Sequence, residues 1–263
     1  MAIKTVSFIG SGNLGAHLAI ELYKCGLEIK QIFSRNPVHA YDLAIKTGAE
    51  PVTEIEKVRS ADIIIICVSD SAISEVARSL SVSDSLIVHT SGSSSINLLS
   101  HHKNYGVFYP FQTFSKSVDP DFKNVSVFIE ANTLENSNRL VELALKISPN
   151  SYLLNSEQRM RLHLAAVFAN NFVNHMYVIA KDILTETKLP MNVIYPLIEE
   201  TTSRLLKSGN PLEMQTGPAV RGNHNILEIH KEILTEKPLW QKIYTFVSNS
   251  IMERVKEKKN GTF

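Results

Sequence analysis

Short aliphatic runs separated by helix-length stretches occupy the chain up to about residue 154. KTVSFIG, EIKQIFS, ADIIIICVS, DSLIVHTSG, NYGVFYP, VSVFIE and SYLLN each predict a strand. Several are apolar without alternation, the pattern of strands covered on both faces. Strand, helix, strand in this order predicts an α/β fold with a doubly wound, mainly parallel sheet. After Ser156 the period changes. EQRMRLHLAAVFANNFVNHMYVIAKDILTET keeps helical spacing for about eight turns. LPMNVIYPLIEETTSRLLKSG predicts a helix opened by Pro190 and closed by Gly209, and the remaining helices are punctuated by Pro238. The expected division is an α/β domain over 1–154 and an all-α domain over 155–263.

Charge narrows the partners. Among 263 residues, 27 basic side chains face 26 acidic ones, a formal charge of +1. Nothing in that balance favours nucleic acid or an anionic membrane, so a small-molecule partner is expected. The N-terminus enters a strand pattern directly, without signal-peptide features, and the longest aliphatic block, IIIICV, has the length of a strand rather than of a membrane span. Cys25 and Cys67 have no metal or redox spacing, which predicts a reduced, cytoplasmic protein without a metal site.

The first strand runs into FIGSGNLGAHLAIELY, where Gly10, Gly12 and Gly15 form G-x-G-x-x-G between a strand and a helix. In that context Gly10 permits the turn, Gly12 admits a pyrophosphate and Gly15 allows close packing, while the helix N-terminus supplies positive dipole. Ser11, Asn13 and Leu14 complete the candidate loop. An NAD site would carry Asp or Glu at the end of the second strand; Ser34, Arg35 and Asn36 stand there instead. A hydroxyl and a guanidinium suit a 2′-phosphate, so NADP is the expected cofactor. Val68 and Ser69 follow a later strand at the same sheet edge, and Asp70 reads more simply as a helix cap.

With these motifs placed, the chain resembles a family of NADP oxidoreductases that join a Rossmann-like N-terminal domain to a helical C-terminal domain of unknown function. That family is similar to pyrroline-carboxylate reductase, the deazaflavin-dependent NADP oxidoreductases and, more distantly, 6-phosphogluconate dehydrogenase. The resemblance rests on GSGNLG, VSDSAI, HTSGS at 89–93, YPFQTFS at 109–115, HLAAVFANNF at 163–172 and TGPAVRGN at 216–223. It implies hydride transfer between NADP(H) and a small molecule, a helical domain that closes the substrate cleft, and a homodimer built through that domain. Two departures stand out. Related dehydrogenases carry a catalytic Lys one turn before an Asn on the first long C-terminal helix, where this chain has Ala166 and Val167. The segment that begins HPLQTF in many relatives begins with Tyr109. The missing Lys leaves a second reading open, a non-catalytic NADP(H)-binding redox sensor or interaction protein.

The stretch LHLAAVFANNFVNH, residues 162–175, contains no Lys, Asp or Glu but three Asn and two His. At 100° per residue His163, Asn170 and Asn174 share a strip, with Asn171 and His175 continuing it. Such a face either lines a cleft or satisfies a buried interface. His163 is the candidate proton donor or acceptor because imidazole titrates near neutrality, and Asn171 accompanies it as a candidate catalytic or binding amide. HTSGSSS offers Ser91 and Gly92 as substrate binders. Arg221 in TGPAVRGN either grips a substrate carboxylate or forms a salt bridge that stabilises its loop. His89 is expected to be packed, and His101 and His102 to lie at the surface.

Overall fold

A computed structural model describes residues 2–261. Its N-terminal part is an eight-stranded sheet of order β3-β2-β1-β4-β5-β6-β7-β8. The strands are β1 Thr5–Ile9, β2 Glu28–Phe33, β3 Glu50–Val52, β4 Ile63–Ile66, β5 Leu86–His89, β6 Asn104–Phe111, β7 Ser126–Ala131 and β8 Ser151–Leu153. All neighbours are parallel except β6 and β7. The seven strands read from the pattern are present. The eighth, β3, carries Pro51 on a sheet edge, where the missing N–H is tolerated, and has no aliphatic run to betray it.

The run IIII of β4 shows why uninterrupted strands lack alternation. Ile63 and Ile65 join the core cluster containing Leu18, Leu22, Leu140 and Leu143, whereas Ile64 and Ile66 join Ile73, Ala77 and Leu99 on the opposite face. Successive side chains leave opposite faces, and here both faces are covered. The first cluster takes residues from helices α1 Asn13–Lys24, α2 Pro37–Thr47 and α4 Leu134–Ile147; the second takes α3 Ile73–Ser79 and a 3-10 turn, Ile96–Leu99.

The helices that follow are α5 Ser156–Ala166, α6 Val173–Glu186, α7 Tyr195–Ser208, α8 Pro211–Met214, α9 His224–Ile233 and α10 Pro238–Lys259. Gly209 ends α7 in the left-handed conformation, φ 68°, and Pro238 opens α10. Pro190 precedes a 3-10 turn, Met191–Ile194, so Pro196 rather than Pro190 stands at the start of α7. By element type the change to helix comes after β8. By packing, the compact units are Met1–Ala169 and Asn170–Phe263. The early turns of α5 belong with the sheet because Arg159, 1% exposed, pairs there with Glu130 of β7.

One expectation fails. The long helix is not uniform: Val167–Phe172 is a π-helix between α5 and α6. A wheel at 100° per residue assumes i→i+4 bonding throughout, and the wider i→i+5 turn breaks that phase. His163 therefore cannot be placed on one strip with Asn170 and Asn174 by counting.

Candidate functional site

The order β3-β2-β1-β4-β5 places the topological switch between β1 and β4, where an open α/β sheet offers a crevice beyond its carboxyl ends. A cavity of about 930 Å³ lies there. Gly10, Ser11, Gly12, Asn13, Ser34, Arg35, Val68 and Ser69, all read from the sequence, line it. Leu14 and Gly15 do not.

The glycines divide the work by geometry. Gly10 has φ 108°, and a Cβ there would stand 2.4 Å from the Cys67 carbonyl oxygen, so β1 and β4 meet too closely for a side chain. A Cβ on Gly15 would stand 2.6 Å from the Gly10 carbonyl oxygen, which seats α1 against its own loop. Gly12 has nothing within 4 Å of an added Cβ. It is the N-cap of α1 and offers no side-chain bond to the helix N–H groups. Open space before a helix start with unclaimed donors fits a pyrophosphate.

At the end of β2, Ser34 is nearly buried, its amide bound to the Val52 carbonyl and its Oγ accepting from Asn36 N–H at 3.3 Å. The Asn36 side chain caps α2, accepting from Val38 N–H at 3.0 Å, so that carbonyl serves the helix. Arg35 is exposed, lines the cavity and forms no ion pair among the described residues. His39, one turn into α2, also lines it. Its signal in the sequence was its spacing, four residues after Arg35.

A second constellation lies at the carboxyl ends of β5 and β6, also within the first unit. Tyr109 OH is 3.4 Å from His163 Nδ1. Both abut Gly92, where an added Cβ would be 2.7 Å from Tyr109 OH and 2.9 Å from His163 Nδ1. Gly92 thus leaves the room that this pair occupies. Burial pushes the Tyr109 phenol above its ordinary range, opposed by the Arg159 charge and reinforced by Asp70. Tyr109 was missed as a site residue; the departure from HPLQTF at that position was the available signal.

The loop carrying Gly92 is shaped by its own serines. Ser91 Oγ accepts from Ser93 N–H at 3.1 Å and from Ser94 N–H at 3.0 Å. Ser93 Oγ donates to Asp70, so Asp70 ties the β4 edge to this loop; no side-chain bond caps α3, which corrects the reading of Asp70 as a cap. His89 is fully buried, accepts from Ser91 N–H at 3.2 Å, and is pushed down to about 4 by burial and the Arg159 charge. It is packed, as expected. Beneath the loop Arg159 donates to Glu130, to the Ser94 carbonyl and to Ser156 Oγ. His102 departs from its surface reading: it is half-buried, with Nε2 2.9 Å from the Ala77 carbonyl.

In the second unit, Asn171 is exposed on the π-helix. Arg221 is exposed in a loop folded by turn bonds, Gly222 N–H to Ala219 carbonyl at 3.2 Å and Asn223 N–H to Pro218 carbonyl at 2.9 Å. No ion pair of Arg221 stabilises that loop among the described residues, so the salt-bridge alternative has no partner. No metal-binding group of His, Cys, Asp and Glu occurs among the described residues, and no helix there is long and apolar enough to cross a membrane.

Residues 5–92 match the family model described as NADP oxidoreductase, coenzyme F420-dependent, and residues 125–251 match a domain of unknown function, DUF2520. A Bacteroides fragilis protein described as an NADP oxidoreductase is 40% identical; the match covers 95% of this chain and 98% of that one, with TM-score 0.87. A Thermotoga maritima protein is similar at 23% identity over 97% and 99% of the two chains, TM-score 0.74. An imine reductase from Myxococcus stipitatus, solved with NADP+, shares the fold at 16% identity over 98% and 94%, TM-score 0.62. Comparison with curated proteins found no match.

Proposed function

The chain belongs to the family that joins an NADP oxidoreductase domain to a DUF2520 domain, with NADP as its cofactor, and on that premise we propose that it transfers hydride between NADP(H) and a small molecule at the Tyr109–His163 end of the sheet. The observation that carries this reading is the pair itself, a phenol and an imidazole 3.4 Å apart against the backbone of Gly92. The bound nicotinamide supplies the hydride chemistry. The chain's own residues bind, orient and handle the proton. Gly10, Ser11, Gly12 and Asn13 would hold the pyrophosphate and Ser34 and Arg35 the 2′-phosphate, with Val68 and Ser69 lining the same cavity.

Hydride addition to a carbonyl or imine leaves a proton to be delivered to oxygen or nitrogen. Tyr109 OH donates it and becomes a phenolate, His163 Nδ1–H re-protonates that phenolate, and the imidazole recovers its proton from solvent. This pair takes the place of the Lys that related dehydrogenases carry. Ser91 shapes the loop, and the Gly92 backbone borders the substrate. Asn171 and Arg221 are the substrate-binding candidates of the second unit, an amide and a guanidinium suited to a carboxylate.

The test is consumption of NADPH with cyclic imines, keto acids and an oxidised deazaflavin presented in turn. Turnover with one class assigns the substrate; NADPH binding with no oxidation by any of them would support the sensor reading instead. On the substrate so found, Tyr109→Phe and His163→Gln are each expected to lower kcat by about 10²–10⁴ with KM little changed, the range of a positioned acid or base. Full turnover by either variant removes that residue from the proton path.

The helical unit points to a homodimer. Among described residues its buried apolar side chains are Ala219, Leu227 and Leu234, while Leu197, Ile233 and Leu239 are exposed, Leu206 is 82% exposed and Phe246 78%. Helices that leave this much apolar surface uncovered need a partner, and a second copy of the chain is the occupant proposed. Sedimentation should then give twice the 29.4 kDa chain mass; a monomer at micromolar concentration would refute it.

A further inference from the structure

Between β6 and β7 the segment from Gln112 to Asp121 crosses the start of α1, and none of the readings above uses its charge. Asn13, the first residue of α1, donates from Nδ2 to the Phe114 carbonyl at 3.1 Å. One turn on, His17 Nε2 donates to the Ser115 carbonyl at 2.8 Å. The Phe114 ring packs against His17 with centroids 6.1 Å apart. The strap then turns tightly, Ser115 bridging Val118, so that Lys116 is carried at the tip. Lys116 is exposed, lines the cofactor cavity, and forms no ion pair among the described residues.

Charge at this end of the cavity is otherwise poorly matched to a dinucleotide. A pyrophosphate brings two negative charges, while the loop from Gly10 to Gly15 contains no cationic side chain. Backbone N–H groups and the helix dipole provide only partial charge. Two other cationic side chains line the cavity, neither of them at the start of α1: Arg35 stands just after β2, where a ribose is held, and Lys46 in the last turn of α2. Asp119 also lines the cavity and would repel a phosphate, but its carboxylate is fully exposed and screened by solvent. The strap therefore anchors on α1 through two side-chain hydrogen bonds and brings to the cavity an ammonium that has no ion pair among the described residues.

We infer that Lys116 is a further cofactor-binding residue, the cation that the strap delivers to the dinucleotide pyrophosphate. The inference rests on the reading that this cavity takes NADP. A solvated ammonium on phosphate acts as a point charge, strengthens binding modestly and weakens with salt.

Titration of the full chain with NADPH and with NADH tests this. Lys116→Gln is expected to weaken both dinucleotides by a similar factor, about tenfold at low salt, and to flatten the salt dependence; Lys116→Arg retains most of the affinity. Arg35→Ala provides the contrast, weakening NADPH alone. Unchanged binding of both by Lys116→Gln overturns the proposal, as does a loss confined to NADPH, which would move Lys116 to the 2′-phosphate. If the wild-type chain binds neither dinucleotide, the cofactor reading falls together with this one. A second measurement concerns the strap: His17→Leu removes the bond to Ser115, and its loss of affinity should not add to that of Lys116→Gln, because both act through the same ammonium. Additive losses would contradict delivery by the strap.

Discussion

Arg159→Met is expected to destabilise the folded chain by about 3–5 kcal/mol, the cost of removing one partner from a buried ion pair. Arg159 is 1% exposed and bonds Glu130, the Ser94 carbonyl and Ser156 Oγ. Its loss strands a carboxylate that is 16% exposed and a carbonyl beneath the Ser91–Gly92 loop. The physical cause is the unpaired charge rather than the missing contact, and a second variant separates the two. Glu130 also accepts from Ser156 N–H at 3.0 Å and Ser156 Oγ at 2.8 Å, bonds that glutamine keeps through its carbonyl in part. The double variant Glu130→Gln with Arg159→Met should therefore recover a substantial share of the loss in urea unfolding. A single variant within about 1 kcal/mol of wild type would place the pair among surface salt bridges of little worth, against its burial.

Gly12→Asp should act with opposite signs on fold and function. Nothing lies within 4 Å of a Cβ at this position, and its φ of −67° suits any L-residue. Aspartate there gains the cap that α1 lacks and faces the positive end of the helix, so the free protein is expected to gain a few tenths of a kcal/mol or stay level. The same carboxylate occupies the space of the pyrophosphate and repels it. NADPH affinity should fall by about a hundredfold or more, equivalent to roughly 2.7 kcal/mol. Fluorescence titration beside a melting curve reads both effects. Affinity within threefold of wild type would remove Gly12 from the cofactor site, and a lowered melting temperature would show that the space before α1 is structural.

These two variants probe different depths of legibility. Gly12 belongs to a motif whose meaning is local: a strand, three glycines and a helix within one short segment, each constrained by atoms nearby in sequence. Arg159 carried no such mark. Its partners Glu130 and Ser94 lie 29 and 65 residues away, and in the linear chain it is one of several charges in EQRMR. Asp70 failed for the same reason, since a cap is the local reading of an Asp before a helix, and its actual partner Ser93 is 23 residues distant.

The sequence by itself determined seven of the eight strands in their order, the mainly parallel sheet, the NADP-type loop and the Ser34–Arg35 end of β2, because aliphatic runs, helical periodicity and glycine sterics act over a few residues. The tertiary structure decided what faces what. It paired Tyr109 with His163 across 54 positions, laid the Lys116 strap over α1 about 100 residues upstream, and set the π-helix at Val167–Phe172 that no regular wheel foresees. Contacts between distant segments depend on how the two faces of the sheet are covered, and a one-dimensional pattern reports that a residue is buried without saying against which neighbour.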